Sequence, residues 1–540
     1  MNFYLGFDAS TQSLTATLIK IEVGCRGPHR SSDAGNREIL LETSMVYDAE
    51  LPSYGTDHGV LRGADPAVVA APPLMWVEAL DRMMARLVEL QPQAMSRLSA
   101  ISGSAQQHGS VYLNDRWPAA LAGASSAAQL ATELADVFSR PLAPVWMDSS
   151  TSRECAEIES AVGGEAVLAR NTGSRAFERF TGPQIRSFAR KHPEAYATTA
   201  RIHLVSSFHA SLLAGEDAPI DVGDGSGMNL MDLDTRSWWP PALDATATDL
   251  ARRLPVVRPS WTPAGTLAPY WRARYGLPAA RVVVWSGDNP CSLIGTGLVR
   301  EGQLGISLGT SDTVCGMMRT LRIHDGGIGY VSASPTGDFM GTTVFKNGSL
   351  ARERVRDQYG MNWAAFSEAL RSTPPGNHGA MMLPWFDPEI TPHVLTPGVR
   401  RVSLDPDDKP ANVRAIIEAQ MMAMANHTTW MVAGSKEIRA MGGASGNRDV
   451  LQVMADVFGV QVIRSRAGNA AALGAALRAW HGDRVALNDP IGWENVVQGF
   501  TDPDPSWRME PRPEAVKVYA DLRRRYAEAE RRALESQDFT

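Results

Sequence analysis

One short pattern occurs twice, once in each half of the chain. Gly6-Phe7-Asp8-Ala9-Ser10-Thr11 and Gly305-Ile306-Ser307-Leu308-Gly309-Thr310-Ser311-Asp312 are apolar strands that run into a turn of small and hydroxyl side chains, then into β-forming residues again. Strand–turn–strand has no helical crossover, so neither copy reads as the start of a dinucleotide-binding βαβ unit. Related segments in the two halves predict two related α/β domains facing each other across a cleft, with the boundary near residues 275–300, that is, domains over 1–285 and 286–540. The length of 540 residues points the same way, because one hydrophobic core seldom serves so long a chain.

The rest of the chain reads as alternating strands and helices. Leu74 to Leu90 has helical spacing, and Leu98 to Leu113 reads as strand, turn, strand around Gln106-Gln107-His108-Gly109. The Ala/Ser-rich stretch from Ala119 to Phe138 is expected to be helical, and Trp238 to Pro269 is Pro-rich and reads as loops and short elements late in the first domain. Buried strands are predicted at Arg281 to Trp285, Gln303 to Leu308 and Ile438 to Met441, and a long apolar helix over Val413 to Met431. Pro513 to Glu535 is an amphipathic helix with Tyr519, Leu522, Tyr526 and Ala529 on its apolar side. Cys25 to Asn36 is polar and reads as an exposed loop or insertion.

Composition excludes several classes of function. Hydrophobic residues make up 44% and charged residues 21%, as in ordinary globular proteins. A net charge of −7 argues against a nucleic-acid-binding surface. No signal peptide and no membrane-length apolar run are evident, and the four cysteines have no metal or redox spacing. These features predict a soluble cytoplasmic protein with reduced thiols, a monomer or homodimer with no nucleic-acid or membrane partner.

Phosphate binding needs inward-turned backbone N–H groups, small side chains and a carboxylate for Mg²⁺. Neither a Gly-x-x-x-x-Gly-Lys-Ser/Thr loop nor a Gly-x-Gly-x-x-Gly after a strand is present. The repeated loops offer another solution: Asp8 with Ser10 and Thr11, and Gly309 with Thr310 and Ser311. Either loop alone also reads as a plain β-hairpin. Both together, with the glycine loop at Gly442, favour phosphate. Ser286-Gly287-Asp288-Asn289 follows an apolar strand, where open α/β sheets place ligands. Asp288 is a candidate base, although the four residues alone favour the N-cap of a helix starting at Asp288-Asn289-Pro290. His108 reads as a sugar ligand or a structural histidine, and Arg179 as a ligand or a surface ion pair.

Taken together, these segments resemble the FGGY carbohydrate kinases from about residue 3 to residue 480. The resemblance is carried by Gly6–Gln12, Gln106–Ser110, Trp146–Thr151, Thr172–Gly182, Asp224–Leu230, Gly287–Pro290, Ser307–Thr313, Phe345–Ser349 and Gly442–Ser445. It implies two ribonuclease-H-like, actin-like ATPase domains, with sugar and ATP in the cleft. The animal-type branch that acts on D-xylulose is the one most resembled. That implies transfer of the γ-phosphate of ATP to D-xylulose with Mg²⁺, another ketose or polyol such as ribulose being the alternative. A non-catalytic nucleotide switch is the reading of a different class.

Position by position, the resemblance implies Asp288 as catalytic base and His108, Arg179, Asp288 and Asn289 as sugar contacts. Trp363, Gly442, Gly443 and Asn447 match nucleotide positions, Thr310 and Ser311 the γ-phosphate loop, and Asp8 the carboxylate near Mg²⁺. Departures are Ser149-Ser150 after Asp148, where bacterial relatives carry an arginine, Ser104-Ala105 before Gln106, and Gly446.

Overall fold

The computed structural model describes residues 1–22, 36–324, 327–432, 434–465 and 468–536. The expected loop at 25–36 falls almost wholly outside them. The chain forms two compact units, each discontinuous in sequence: residues 1–299 with 332–338 and 467–502, and residues 300–331 with 339–466 and 503–540. Asp288 therefore belongs to the first unit.

In that unit the strand Asn2–Ala9 turns at once into Ser13–Ile21, antiparallel, and then Arg37–Val46. On its other side Asn2–Ala9 pairs in parallel with Leu98–Ala105. Arg281–Val283 and the two-residue strand Ser286–Gly287 pair in parallel with Leu98–Ala105, and Pro263–Thr266 closes the edge. Both faces are covered, as near-continuous apolar strands require. Helices Pro73–Leu90 and Val205–Ala214 bury one face, and Ala470–Ala486 the other.

The small residues of Ala470-Ala471-Ala472-Leu473-Gly474-Ala475-Ala476 explain how close that last helix comes. A Cβ on Gly6 would lie 2.2 Å from Ala472 O and Ala476 N, and one on Gly474 would lie 1.9 Å from Cys291 O. Arg478, one turn further on, is fully buried. It donates to the carbonyls of Gly103 (3.1 Å), Ser260 (3.0 Å) and Val284 (2.9 Å) and stands 3.7 Å from the Asp221 carboxylate.

The second unit has its own mixed sheet, in the order Phe339–Phe345, Asp312–Met318, Gln303–Leu308, Glu437–Met441, Val462–Arg464 and Arg508–Met509. Against it lies helix Lys409–His427, which packs on Ser349–Gln358, Trp363–Ser372, Arg448–Phe458 and Pro513–Glu535. The last of these keeps its predicted bounds and buries Tyr519, Leu522 and Tyr526, while Glu530 and Ala533 rather than Ala529 complete the buried stripe. Tyr519 donates to Glu418, which also takes the Arg414 guanidinium (2.6 and 2.5 Å), tying the C-terminal helix to its own unit.

Two sequence expectations need correction. Ala119 to Phe138 holds only the short helices Trp117–Ala122 and Leu130–Glu133. Gly123 ends the first, and Ser125 Oγ accepts the Ala127 N–H in a local turn that competes with helix. The long apolar helix starts at Lys409, not Val413, because Asp408 caps it through the Ala411 N–H and Pro410 suits its first turn.

Removing the Arg478 guanidinium strands Asp221 and three carbonyls. Arg478→Ala should cost about 3–5 kcal/mol, read as a lowered midpoint of urea unfolding.

Candidate active site

Three parallel strand ends build the candidate site on the first unit. Asp8 pairs with Ser104 in register, and Ser286–Gly287 with Ser104–Ala105, so Asp8, Gln106–His108 and Asp288 all emerge at the same carboxyl edge. This is where an open α/β sheet holds its ligands. Asp8 is buried: Oδ1 accepts the Ser104 hydroxyl at 2.8 Å and Oδ2 that of Ser10 at 2.6 Å. The exposed Trp146 indole donates to Thr11 Oγ1 (2.8 Å), which fixes the turn between the first two strands. Asp148, in the Trp-x-Asp segment, is spent on structure. It accepts from Val69 N, Ser150 N and the Gln184 amide.

His108 has φ of +70°, a left-handed backbone that few side chains other than glycine adopt without cost. Its ring stacks on Phe180 (centroids 4.6 Å apart), and Nδ1–H donates to the Gly227 carbonyl at 2.8 Å. Burial, helped by the Arg179 cation, pushes its pKa down to about 3. The imidazole is thus neutral, and Nε2 is left as an acceptor. Arg179 lies against Phe177 and Phe180 (4.9 and 5.5 Å) and makes no ion pair with a carboxylate among the described residues. The surface-ion-pair reading falls, and the cation stays available to a ligand.

Asp288 is the first residue of helix Asp288–Gly295, and Gly287 holds the N-cap position, so the capping reading falls too. Its carboxylate accepts from Asn289 N (2.7 Å) and Asn289 Nδ2 (3.2 Å). Burial, and then the charge of Asp8, raise its pKa to about 7. A carboxylate so poised can take a proton from an attacking hydroxyl near neutral pH.

Sequence reasoning missed the layer behind it. Asp221 accepts Gly223 N, Asp224 N and the hydroxyls of Ser260 and of Ser286, which stands two residues before Asp288. Asp224 accepts the Ser206 hydroxyl, and burial with the nearby Asp221 and Asp288 charges raises it to about 8. Two aspartates three apart on either side of Val222-Gly223, both in an apolar stretch, are the signal that marks them.

The second unit repeats the plan. Strands Gln303–Leu308 and Glu437–Met441 are parallel neighbours, so Gly309-Thr310-Ser311 and Gly442-Gly443 leave the sheet side by side. Gly442 has φ of +82°, and a Cβ there would lie 2.6 Å from Leu308 O. Under the first loop, buried Asp312 receives both arms of the buried Arg352 guanidinium (2.8 and 3.0 Å), and Arg352 also reaches Gln420. Gln420 in turn donates to Asn347 O and Gly348 O, and Glu389 takes the Lys346 and Asn347 amides. Asn447 caps helix Arg448–Phe458 and donates to Ser367 (2.8 Å), one turn beyond Trp363. Trp363 itself is 45% exposed, with Arg356 4.6 Å from its ring centre. All seven second-unit candidates thus lie around one end of one sheet.

The comparisons with known proteins identify the family. The N-terminal domain of the FGGY family of carbohydrate kinases matches residues 123–295, and its C-terminal domain residues 304–482. The chain is 39% identical to the xylulose kinase of Rattus norvegicus over 98% of its own length and 97% of that protein's. Among solved structures it resembles a ligand-bound xylulose kinase from Lactobacillus acidophilus (TM-score 0.79, 17% identity, 100% of both chains). It also resembles the glycerol kinase of Plasmodium falciparum with ADP (TM-score 0.75, 15% identity, 98% of both chains). The chain belongs to the FGGY family of carbohydrate kinases, and the fold is the two-domain, actin-like α/β fold expected for it. No helix among the described residues is long and apolar enough to cross a membrane.

If burial holds His108 neutral, its ¹⁵N imidazole shifts should remain those of the Nδ1–H tautomer from pH 5 to pH 8, with no titration in that window.

Proposed function

We propose that this chain phosphorylates D-xylulose with ATP, giving D-xylulose 5-phosphate and ADP. The observation that carries this reading is the Asp288 carboxyl, raised to about 7 and hydrogen-bonded to Asn289, whose amide reaches Gln107, the neighbour of His108. Near-full-length identity to a named xylulose kinase gives the sugar.

The residues divide the work by chemistry. Asp288, ionised, takes the proton of the sugar hydroxyl as that oxygen attacks the γ-phosphorus, and the bond to the leaving ADP oxygen breaks. His108 Nε2 accepts from a sugar hydroxyl, and Arg179 donates. Backbone groups of Gly309, Thr310 and Ser311 hold the γ-phosphate, and Ser10 and Thr11 shape the turn that carries Asp8, the Ser10 hydroxyl donating to its carboxylate. Trp363, Gly442, Gly443 and Asn447 hold adenine and ribose. The exposed Trp363 ring and the open space over Gly443 fit a flat base, since a Cβ on Gly443 would meet nothing within 4 Å.

Among the described residues no group of three or more His, Cys, Asp or Glu is arranged to hold a metal ion. A single carboxylate, Asp8, nonetheless fits Mg²⁺, which commonly binds through one or two carboxylates, water and substrate phosphates. When bound, Mg²⁺ neutralises phosphate charge. Unpaired cysteines at 155, 291 and 315 accord with a reducing, cytoplasmic setting.

The test is coupled ADP release with Mg²⁺-ATP against D-xylulose, D-ribulose, L-xylulose, D-fructose, glycerol and no sugar. D-xylulose should give the highest kcat/KM, and Asp288→Asn should lower kcat roughly 10²–10⁴-fold. A preference for ribulose would keep the kinase and change the sugar. No turnover on any sugar, with ATP still bound, would favour the nucleotide switch.

The pH dependence follows from the base. Asp288 works deprotonated, so kcat/KM should fall as pH drops through about 7, and a cation held at Asp8 should draw that limb lower. Trp363→Ala should raise the KM for ATP roughly five- to thirtyfold, the loss of one aromatic stacking contact of about 1–2 kcal/mol, with sugar KM unchanged.

A further inference from the structure

Asn289 is exposed, yet both hydrogens of its amide are already committed. Nδ2 donates to Gln107 Oε1 at 2.7 Å and to Asp288 Oδ1 at 3.2 Å. Turning the carboxamide over would set its oxygen against two acceptors at once, so one orientation is enforced. The enforcing group is Gln107, itself buried. It reaches Asn289 only because residue 287 is glycine: a Cβ there would lie 2.4 Å from Gln107 Cγ and 2.8 Å from Gln107 Nε2. The same absent Cβ would lie 2.8 Å from Asp224 Oδ1. Gln107 also hydrogen-bonds the Asp224 carboxyl, holding its pKa lower than burial alone would, and this keeps the Gln107 nitrogen turned toward Asp224 and its oxygen turned toward Asn289.

We propose that Gln107 is a positioning residue that fixes the Asn289 carboxamide with its oxygen outward, so that Asn289 meets the sugar as a hydrogen-bond acceptor only. The inference rests on the reading of Asn289 as a sugar contact. An acceptor-only group recognises a hydroxyl, which can donate, and discriminates against a deoxy or ether position, which cannot. Gly287 and Asp224 then serve specificity through Gln107, without touching the sugar.

The test is a double-mutant cycle on the full chain, with D-xylulose or whichever ketose the panel prefers. Gln107→Met keeps side-chain length and removes the amide, and Gln107→Ala stands in should that variant fold poorly. Each is combined with Asn289→Ala. Loss of a hydrogen bond should raise the sugar KM roughly three- to tenfold in either single variant. The KM for ATP should stay within about twofold, and the double variant should be no worse than Asn289→Ala alone. If the two effects multiply, or Gln107→Met leaves the sugar KM alone while Asn289→Ala raises it, the relay is overturned and the sugar contact stands. If Asn289→Ala changes the KM of no sugar, both fall.

Discussion

The first unit depends on one buried cation. Arg478 comes from a helix near the end of that unit's chain, and its guanidinium gathers carbonyls from three other segments and faces Asp221. Placing a guanidinium in an apolar interior is costly unless its N–H groups find partners. Here the partners are the ends of the strands that carry the chemistry. Asp221, compensated in this way, can remain an acceptor for Ser286 and Ser260 and for the amides that begin the next helix. Ser286 is two residues from Asp288, so the position of the base is set by an ion pair that never meets substrate.

The second unit solves the same problem with different residues. Arg352 and Asp312 lie under Gly309-Thr310-Ser311 as Arg478 and Asp221 lie under Ser286-Gly287-Asp288. In both, a loop of small residues offers its backbone outward while a buried arginine holds the loop from within. Small side chains permit close approach to an anion but supply no packing of their own. Rigidity has to come from the layer beneath, which is where each unit spends its buried charges.

Much of this was legible in the sequence. Apolar strands ending in Asp8, Asp288 and Gly309 could be read because strand periodicity and a change to small polar residues are local signals. The C-terminal helix was legible for the same reason. Arg478 and Arg352 were not, since an arginine in an Ala-rich or charged helix looks like any solvated one until its neighbours from distant segments are known. The Ala119–Phe138 stretch misled because alanine favours helix but serine side chains compete for the backbone, and no apolar face fixed the outcome. Nor does linear reading show that residues 467–502 return to the first unit. His108 was flagged by its chemistry, but its left-handed backbone, which marks the position as strained, has no signature in the sequence.

That return carries a consequence for how the protein is made. The Tyr4 hydroxyl donates to Asp483, 479 positions later, and the Gly6 strand rests on the helix that begins at Ala470. During synthesis at 5–20 residues per second, the first strand waits roughly 25 to 95 s for the helix that covers it. On one face of the first sheet, Ile19, Ile21 and Ala100 lack Leu473, Ala476, Leu477 and Trp480 throughout that interval. The first unit, although its chain emerges first, therefore waits for residues 467–502, and only residues 503–540 of the second unit follow them. A nascent chain of this design has to be shielded by a holding chaperone, or by the transient collapse of its own later segments, until the covering helix arrives.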